Sequence, residues 1–237
     1  MKTGSLLDYS EFKALLGEIK RYSDPLCCRF FFRPLSFPVG WLFYKIGFKA
    51  NSISLLSIVL AITSSLLMIF GSSENIIWAS FLMMLVSLSD CVDGNVARAR
   101  GDTGPGGEWM DALSGYTVYA LLPLSLGIHL YFHNPYENLL GLWIIVGAVT
   151  AIANLFLRLL YQKFISSNLD ESTQNEFKGS GSFFSRISGE MGLVGWMMPT
   201  LMIAALTNML NVYLAIYCFF YMVSAVIITI VLVRKVS

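Results

Sequence analysis

Long charge-free stretches dominate the chain from residue 50 onward, and they set the first expectation. A helix needs about 20 mostly apolar residues to cross roughly 30 Å of hydrocarbon. Between Lys49 and Glu74 lie 24 uncharged residues, and 15 run from Asn75 to Ser89 before Asp90 interrupts. A further 25 separate Asp111 from Glu137, and 20 separate Glu137 from Arg158. The last stretch, Met191 to Val233, holds 43 residues, enough for two crossings with a turn around Asn208–Asn211. The pattern predicts an all-α polytopic membrane protein with six transmembrane helices, the second of which carries acidic residues in its final turns.

The first 49 residues follow a different pattern. Phe12, Leu15, Leu16 and Ile19 recur at helical spacing, with Glu11, Lys13, Glu18, Lys20 and Arg21 between them. Such a stripe fits an N-terminal amphipathic helix lying at the membrane interface, and the nearby Arg21, Arg29 and Arg33 suit anionic headgroups. A solvated helix packed on the domain fits the same stripe. Charges interrupt this stretch throughout and no apolar core follows Lys2, so it does not read as a signal peptide. Two parts are expected: a cytoplasmic or interfacial N-terminal segment, 1–49, and a six-helix transmembrane domain, 50–237.

Composition agrees. Apolar residues make up 56% of the chain and charged residues 13%, about half the usual share. A disordered chain, a coiled coil and a nucleic-acid binder running on a basic patch are excluded. The net charge of +1 is uninformative, but its placement is not. Six crossings put all 16 Lys and Arg on one face or in helix ends abutting it, while the opposite loops near Gly71–Asn75, Tyr131–Asn138 and Thr207–Asn211 hold none. Lysine and arginine favour the cytoplasmic side, so both termini are expected there. Cys27, Cys28, Cys91 and Cys218 show neither zinc spacing nor a disulfide framework and read as small apolar packing.

Charged groups inside a spanning helix are costly and usually mark function. The second predicted helix ends in SDCVDGNVARARG, which puts Asp90 and Asp93 on one face. The third opens with EWMDALSG, adding Glu108 and Asp111. At about 1.5 Å rise per residue, Asp90 lies roughly 8 Å and Asp111 roughly 6 Å inside the same boundary. The three aspartates therefore come level on adjacent antiparallel helices. Carboxylates at this density suit Mg²⁺ or Mn²⁺, and two such ions would clamp a diphosphate for in-line displacement at phosphorus. Gly94 and Ala97 keep the helix surface low beside them, and Arg98 can pair with phosphate or with the aspartates. The competing reading is an Asp–Arg network that only locks the two helices together.

The string Asp90-x2-Asp93-Gly94-x2-Ala97-Arg98-x8-Gly107-x3-Asp111 resembles the hallmark of the CDP-alcohol phosphotransferase (CDP-alcohol phosphatidyltransferase) family. At average composition its seven fixed residues would coincide by chance at roughly 10⁻⁸ to 10⁻⁹ per start position. The resemblance implies a membrane transferase of phospholipid biosynthesis that moves a substituted phosphate from a CDP-alcohol to a polar alcohol and releases CMP. It implies metal binding by Asp90, Asp93 and Asp111, and a nucleotide site shaped by Asp90, Gly94, Ala97, Arg98 and Gly107. It also implies a homodimer in the lipid bilayer, with the active site cytoplasmic. CDP-diacylglycerol is the expected donor, since the chain is close to a bare six-helix core.

One position departs from the family pattern. A further aspartate, read as the general base and as a ligand to one metal, is expected four residues after Asp111, where this chain has Gly115. Glu108 lies a turn on the other side and cannot replace it. Asp111 is then the remaining candidate for a catalytic role. Three outcomes stand: a weakly active enzyme, a non-catalytic relative that binds CDP-lipid and metal, or an acceptor whose own phosphate takes the proton. A cation transporter using intramembrane carboxylates is a third functional class, although Glu74 and Glu137 alone lie in the opposite loops.

The fourth predicted helix carries Thr150, Asn154, Arg158 and Gln162 at intervals of four. Arg158, Asn154 and the following Lys163 would bind an anionic acceptor or donor phosphate. Alternatively Arg158 snorkels to the interface while Asn154 bonds between helices. The polar stretch Phe164–Gly189 reads as a cytoplasmic loop bordered by Arg186 and Glu190, and His129 and His133 fall on the far face.

Overall fold

The computed structural model describes residues 6–17, 24–133, 140–166, 187 and 189–236. Every regular element among them is helical. Helix α1 spans Tyr9–Gly17, α2 Arg33–Ile46, α3 Ala50–Phe70, α4 Asn75–Arg100, α5 Pro105–His133, α6 Leu140–Ser166, α7 Met198–Leu206 and α8 Leu210–Val236. Two π-helical turns, Cys28–Phe32 and Leu193–Met197, lead into α2 and α7. The predicted loop 164–189 and Arg186 lie largely or wholly outside the described residues, as does the interfacial stripe beyond Gly17.

Five helices are long and apolar enough to cross a bilayer: Ala50–Phe70, Asn75–Arg100, Pro105–His133, Gly141–Leu160 and Leu210–Arg234. The sixth expected crossing appears as a shorter apolar element, Leu193–Leu206. Its shortness has a local cause. Gly195 has non-helical backbone angles (φ −87°, ψ −139°), and Pro199 sits in the first turn of α7, where a missing N–H costs nothing.

The bundle is held by small and hydroxyl-bearing side chains where helices approach. On α3, Ser54, Ser57, Ala61, Ser64 and Ser65 are all buried. Ser64 donates to the carbonyl of Ala79 on α4 at 2.7 Å, and Ser114 of α5 donates to Ser57 at 3.1 Å. Helix α5 meets α6 through two glycines: a Cβ on Gly127 would lie 2.5 Å from the carbonyl oxygen of Trp143, and one on Gly147 2.5 Å from that of Pro123. Only glycine permits so close a backbone approach.

Helix α1 is capped by reciprocal bonds. Asp8 Oδ1 accepts the N–H of Glu11 at 2.7 Å, and Glu11 Oε2 accepts the N–H of Asp8 at 3.0 Å. Those bonds, first the Glu11 amide and then the Ser10 hydroxyl, hold the Asp8 carboxyl below its ordinary value. From the predicted apolar stripe, Phe12 is completely buried against Tyr44 and α4, whereas Leu15 is 48% exposed. Phe12 thus plugs the helix onto α2 and α4, and Trp41 of α2 adds an edge contact to the Tyr9 ring and a hydrogen bond to the Leu7 carbonyl at 3.2 Å. Helix α2 ends at Gly47 (φ +97°), and α4 at Gly101 (φ +66°), each in the left-handed conformation that closes a helix and frees the chain to turn. The turn after Gly101 leads into α5, which packs, like α4, against α3.

Candidate active site

A cavity of about 410 Å³ opens where the C-terminal half of α4, the N-terminal turns of α3 and α5, and the lead-in to α2 converge. Asp90, Asp93, Gly94, Ala97 and Arg98 line it from α4, and Gly107, Glu108 and Asp111 from α5. The alternation of i, i+3 and i+4 puts the α4 residues on one face. The expected side-by-side packing of α4 and α5 is not what the structure shows: α3 packs against both, and the short Gly101–Gly104 turn brings only the start of α5 to the cavity. Every residue of the family string therefore faces one cavity.

Asp93 is the anchored member. It is buried, and its Oδ2 accepts the hydroxyl proton of Ser54 on α3 at 2.6 Å. Asp90 is half-buried and Asp111 exposed toward the opening. A Cβ on Gly94 would lie 3.3 Å from both terminal nitrogens of Arg98, because the guanidinium folds back close over the bare backbone. The low surface predicted for a flat base is thus covered by Arg98, which donates Nη2–H to Asn95 Oδ1 at 2.9 Å. A Cβ on Gly107 would meet nothing within 4 Å.

Carboxylate, hydroxyl and amide oxygens of the kind Mg²⁺ and Mn²⁺ prefer line the cavity: Asp90, Asp93 and Asp111 with Ser54 and Asn51. Their chemistry fits a hard divalent cation. Among the described residues, no three His, Cys, Asp or Glu side chains are gathered closely enough to hold an ion as they stand. Loading would require the carboxylates to converge, and the exposed Asp111 has the room to do so.

The cavity also contains residues to which the sequence reading assigned no part in this site. Asp24, Cys28, Arg33, Asn51, Ser54, Cys91 and Val194 all contribute to its wall. The segment before α2 is fixed there by Glu190, whose two carboxylate oxygens accept the N–H of Leu26 at 2.8 and 3.0 Å. Cys27, Cys28 and Cys91 pack as small apolar groups, with Cys28 and Cys91 sulfurs in hydrogen-bond contact at 3.5 Å and none of the three in a disulfide. Burial pushes the Cys27 thiol up to about 11, with Cys28 and Glu190 adding to it, so it is protonated at neutral pH.

The polar stripe on α6 is placed elsewhere. Asn154, Arg158 and Lys163 do not line this cavity. Arg158 lies over the ring of Tyr119, 3.5 Å from its centroid, and its Nε is buried with no hydrogen-bond partner. The side-chain nitrogen of Asn154, one turn earlier, is likewise buried and unsatisfied. Thr150 bonds back to its own helix, and Gln162 accepts the Tyr116 hydroxyl at 2.5 Å. Tyr119 connects this region to the first: a Cβ on Gly115 would touch Tyr119 Cε2 at 3.8 Å. His129 is buried and bonded to the Met68 carbonyl at 2.9 Å, far from the aspartates in sequence and fold.

Fold and cavity together define an integral membrane protein with carboxylates and guanidinium groups gathered at one end of its helices. The family model for CDP-alcohol phosphatidyltransferase matches residues 48–232, and the chain belongs to that family, whose members transfer substituted phosphate groups in lipid biosynthesis. Among curated proteins, none matches the chain.

Proposed function

We propose that this protein transfers a phosphatidyl group from CDP-diacylglycerol to a polar acceptor alcohol and releases CMP. The observation that carries the reading is the convergence of Asp90, Asp93, Gly94, Ala97, Arg98, Gly107 and Asp111 on one cavity. In the reaction the acceptor oxygen bonds to the phosphatidyl phosphorus, the bond to the bridging oxygen breaks with its electron pair leaving on CMP, and the hydroxyl proton passes to solvent or to a phosphate carried by the acceptor. Asp90, Asp93 and Asp111 would hold one or two Mg²⁺ or Mn²⁺ ions, with Ser54 keeping the Asp93 carboxylate oriented. Such ions supply charge neutralisation on the phosphate oxygens. Arg98 exchanges its Asn95 contact for a phosphate oxygen, uncovering Gly94 and Ala97 for the nucleotide.

Asn154, Arg158 and Lys163 would receive an anionic acceptor. Two buried donors without partners, four residues apart on α6, support that assignment, because such groups are expensive unless something satisfies them. In this reading the shorter element Leu193–Leu206 completes a sixth crossing, and both termini and the cavity face the cytoplasm. The one-sided Lys and Arg placement supports this orientation. A homodimer completes the picture drawn from the family.

A second reading follows from Gly115. With no carboxylate there, the protein is a weakened enzyme, or a non-catalytic relative that binds CDP-lipid and metal. An acceptor carrying its own phosphate would restore full activity by taking the proton itself. The test is CMP formation from CDP-diacylglycerol by the purified protein with Mg²⁺ or Mn²⁺ and a panel of alcohols, phosphorylated and not. Metal-dependent CMP release with one acceptor class supports the first reading. Tight CDP binding with no release under any condition supports the second.

A further inference from the structure

Two guanidinium groups that line the cavity, those of Arg33 and Arg98, meet at a single buried amide oxygen behind its wall. Arg33, at the start of α2, donates Nη1–H to Asn95 Oδ1 at 3.2 Å, and Arg98 donates to the same oxygen at 2.9 Å. Asn95 is buried, and its orientation is fixed because its side-chain nitrogen donates to the Ser36 hydroxyl at 2.9 Å and the Ser36 carbonyl at 3.4 Å. A neutral amide oxygen can hold two like charges side by side, but it neutralises neither.

Among the described residues Arg33 pairs with one carboxylate, Asp24, with side-chain exposures of only 18% and 12%. Nη2 lies 2.7 Å and Nε 2.9 Å from the same oxygen, Asp24 Oδ2. This is a single-oxygen clasp, not the two-oxygen fork that makes arginine–carboxylate pairs strongest. Both Arg33 and Asp24 line the cavity, and both lie outside the family-matched stretch 48–232.

We propose that Arg33 is a second binding residue for the substrate's diphosphate, working beside Arg98, and that the Asp24 carboxylate stands in the anion's place until substrate displaces it. Carboxylate and phosphate oxygens compete for the same guanidinium fork, and phosphate offers more charge and more acceptor oxygens. Asp24 keeps the partly buried cation compensated in the empty site. The inference rests on the CDP-alcohol reading for the identity of the anion.

The test uses the purified full chain in lipid nanodiscs with Mg²⁺, titrated with CDP and, separately, with inorganic pyrophosphate. Arg33→Gln should weaken both by about tenfold or more, the usual range for a lost charged hydrogen bond. Asp24→Asn should strengthen both several-fold, since the competitor is gone while the side-chain shape remains. A purely structural ion pair gives the opposite sign: Asp24→Asn would then weaken or leave unchanged the affinity and lower the unfolding temperature. That result, or an unchanged affinity in Arg33→Gln, overturns the proposal. If Arg33→Gln does not fold, the sign of Asp24→Asn decides alone. Wild type that binds pyrophosphate but not CDP defeats the nucleotide reading, and Arg33 is then judged on pyrophosphate by the same signs. Wild type that binds neither defeats both.

Discussion

Replacing Gly115 by aspartate probes the position where this chain departs from its family. Four residues along α5 advance about 6 Å and return to within about 40° of the Asp111 direction. The new carboxylate would therefore lie one turn deeper on nearly the same face. Space is available, because a Cβ there meets only Tyr119 Cε2, at an ordinary 3.8 Å. The backbone gains slightly, since Asp is disfavoured in a helix by about 0.7 kcal/mol and Gly by about 1 kcal/mol. Against this stands the burial of a charge, which costs several kcal/mol if uncompensated. Compensation is close at hand in the Arg158 guanidinium stacked on Tyr119, and in any divalent ion held by Asp111. A positioned base contributes about 10²–10⁴-fold, equivalent to about 2.7–5.4 kcal/mol of barrier. Gly115→Asp should therefore raise CMP release from CDP-diacylglycerol by roughly 10²-fold or more with an unphosphorylated acceptor. CMP is measured on purified wild type and variant side by side, with thermal unfolding as the control for folding. A folded, CDP-binding variant that releases CMP no faster than wild type refutes the reasoning. A fast wild type and a slower variant would make Gly115 an adaptation to a different acceptor.

Three further outcomes are expected. Gly127→Ala should cost about 1–3 kcal/mol in denaturant unfolding, because its Cβ lands 2.5 Å from the Trp143 carbonyl oxygen, whereas Gly141→Ala, which meets nothing within 4 Å, should be neutral or stabilising. Ser54→Ala should destabilise by about 1–3 kcal/mol by leaving buried Asp93 without its hydroxyl donor, and should weaken Mn²⁺ affinity in the same preparation. The α1 cap should be pH-sensitive in one direction. Because the folded Asp8 carboxyl titrates below its ordinary value of 3.8, its contribution is complete above that value and is lost as pH falls through the lower folded one. Amide exchange at Glu11 should accelerate in that acidic window, and exchange that stays flat there contradicts the assignment.

Charge spacing was enough to place the long helices. The uncharged stretch after Lys49 becomes Ala50–Phe70, and the second predicted helix starts at Asn75 as its polar flank suggests. Asp90, Asp93 and Asp111 were legible as one cavity's lining because carboxylates in apolar helices stand out, whereas the part played by α3, which packs against both α4 and α5, was not. The short Leu193–Leu206 element was legible in part: Gly195 and Pro199 stand out as residues that loosen a helix, but a 43-residue apolar stretch does not reveal how far they shorten it. Nor could spacing show that Arg33, Asp24 and Cys28 fold back onto α4. Arg33 reaches Asn95 and Cys28 reaches Cys91, contacts about 60 positions apart, while Asp24 is carried along by its pairing with Arg33. The Glu190 clasp on Leu26 spans 164 positions and has no local signature at all. Arg158 illustrates the converse: its spacing on α6 was visible, but its seat over Tyr119 outside the aspartate cavity follows from packing.

The central claim is that Asp90, Asp93 and Asp111 act as one divalent-metal site for a CDP-alcohol. Mn²⁺ binding to the purified protein, followed by electron paramagnetic resonance with and without CDP, tests it most directly. Asparagine at each position removes one charge while preserving shape. The account predicts that Asp90→Asn, Asp93→Asn and Asp111→Asn each markedly weaken Mn²⁺ binding and abolish its enhancement by CDP, with the proteins still folded. Unchanged Mn²⁺ affinity in all three variants would contradict it and make the cluster a structural Asp–Arg network joining α4 to its neighbours.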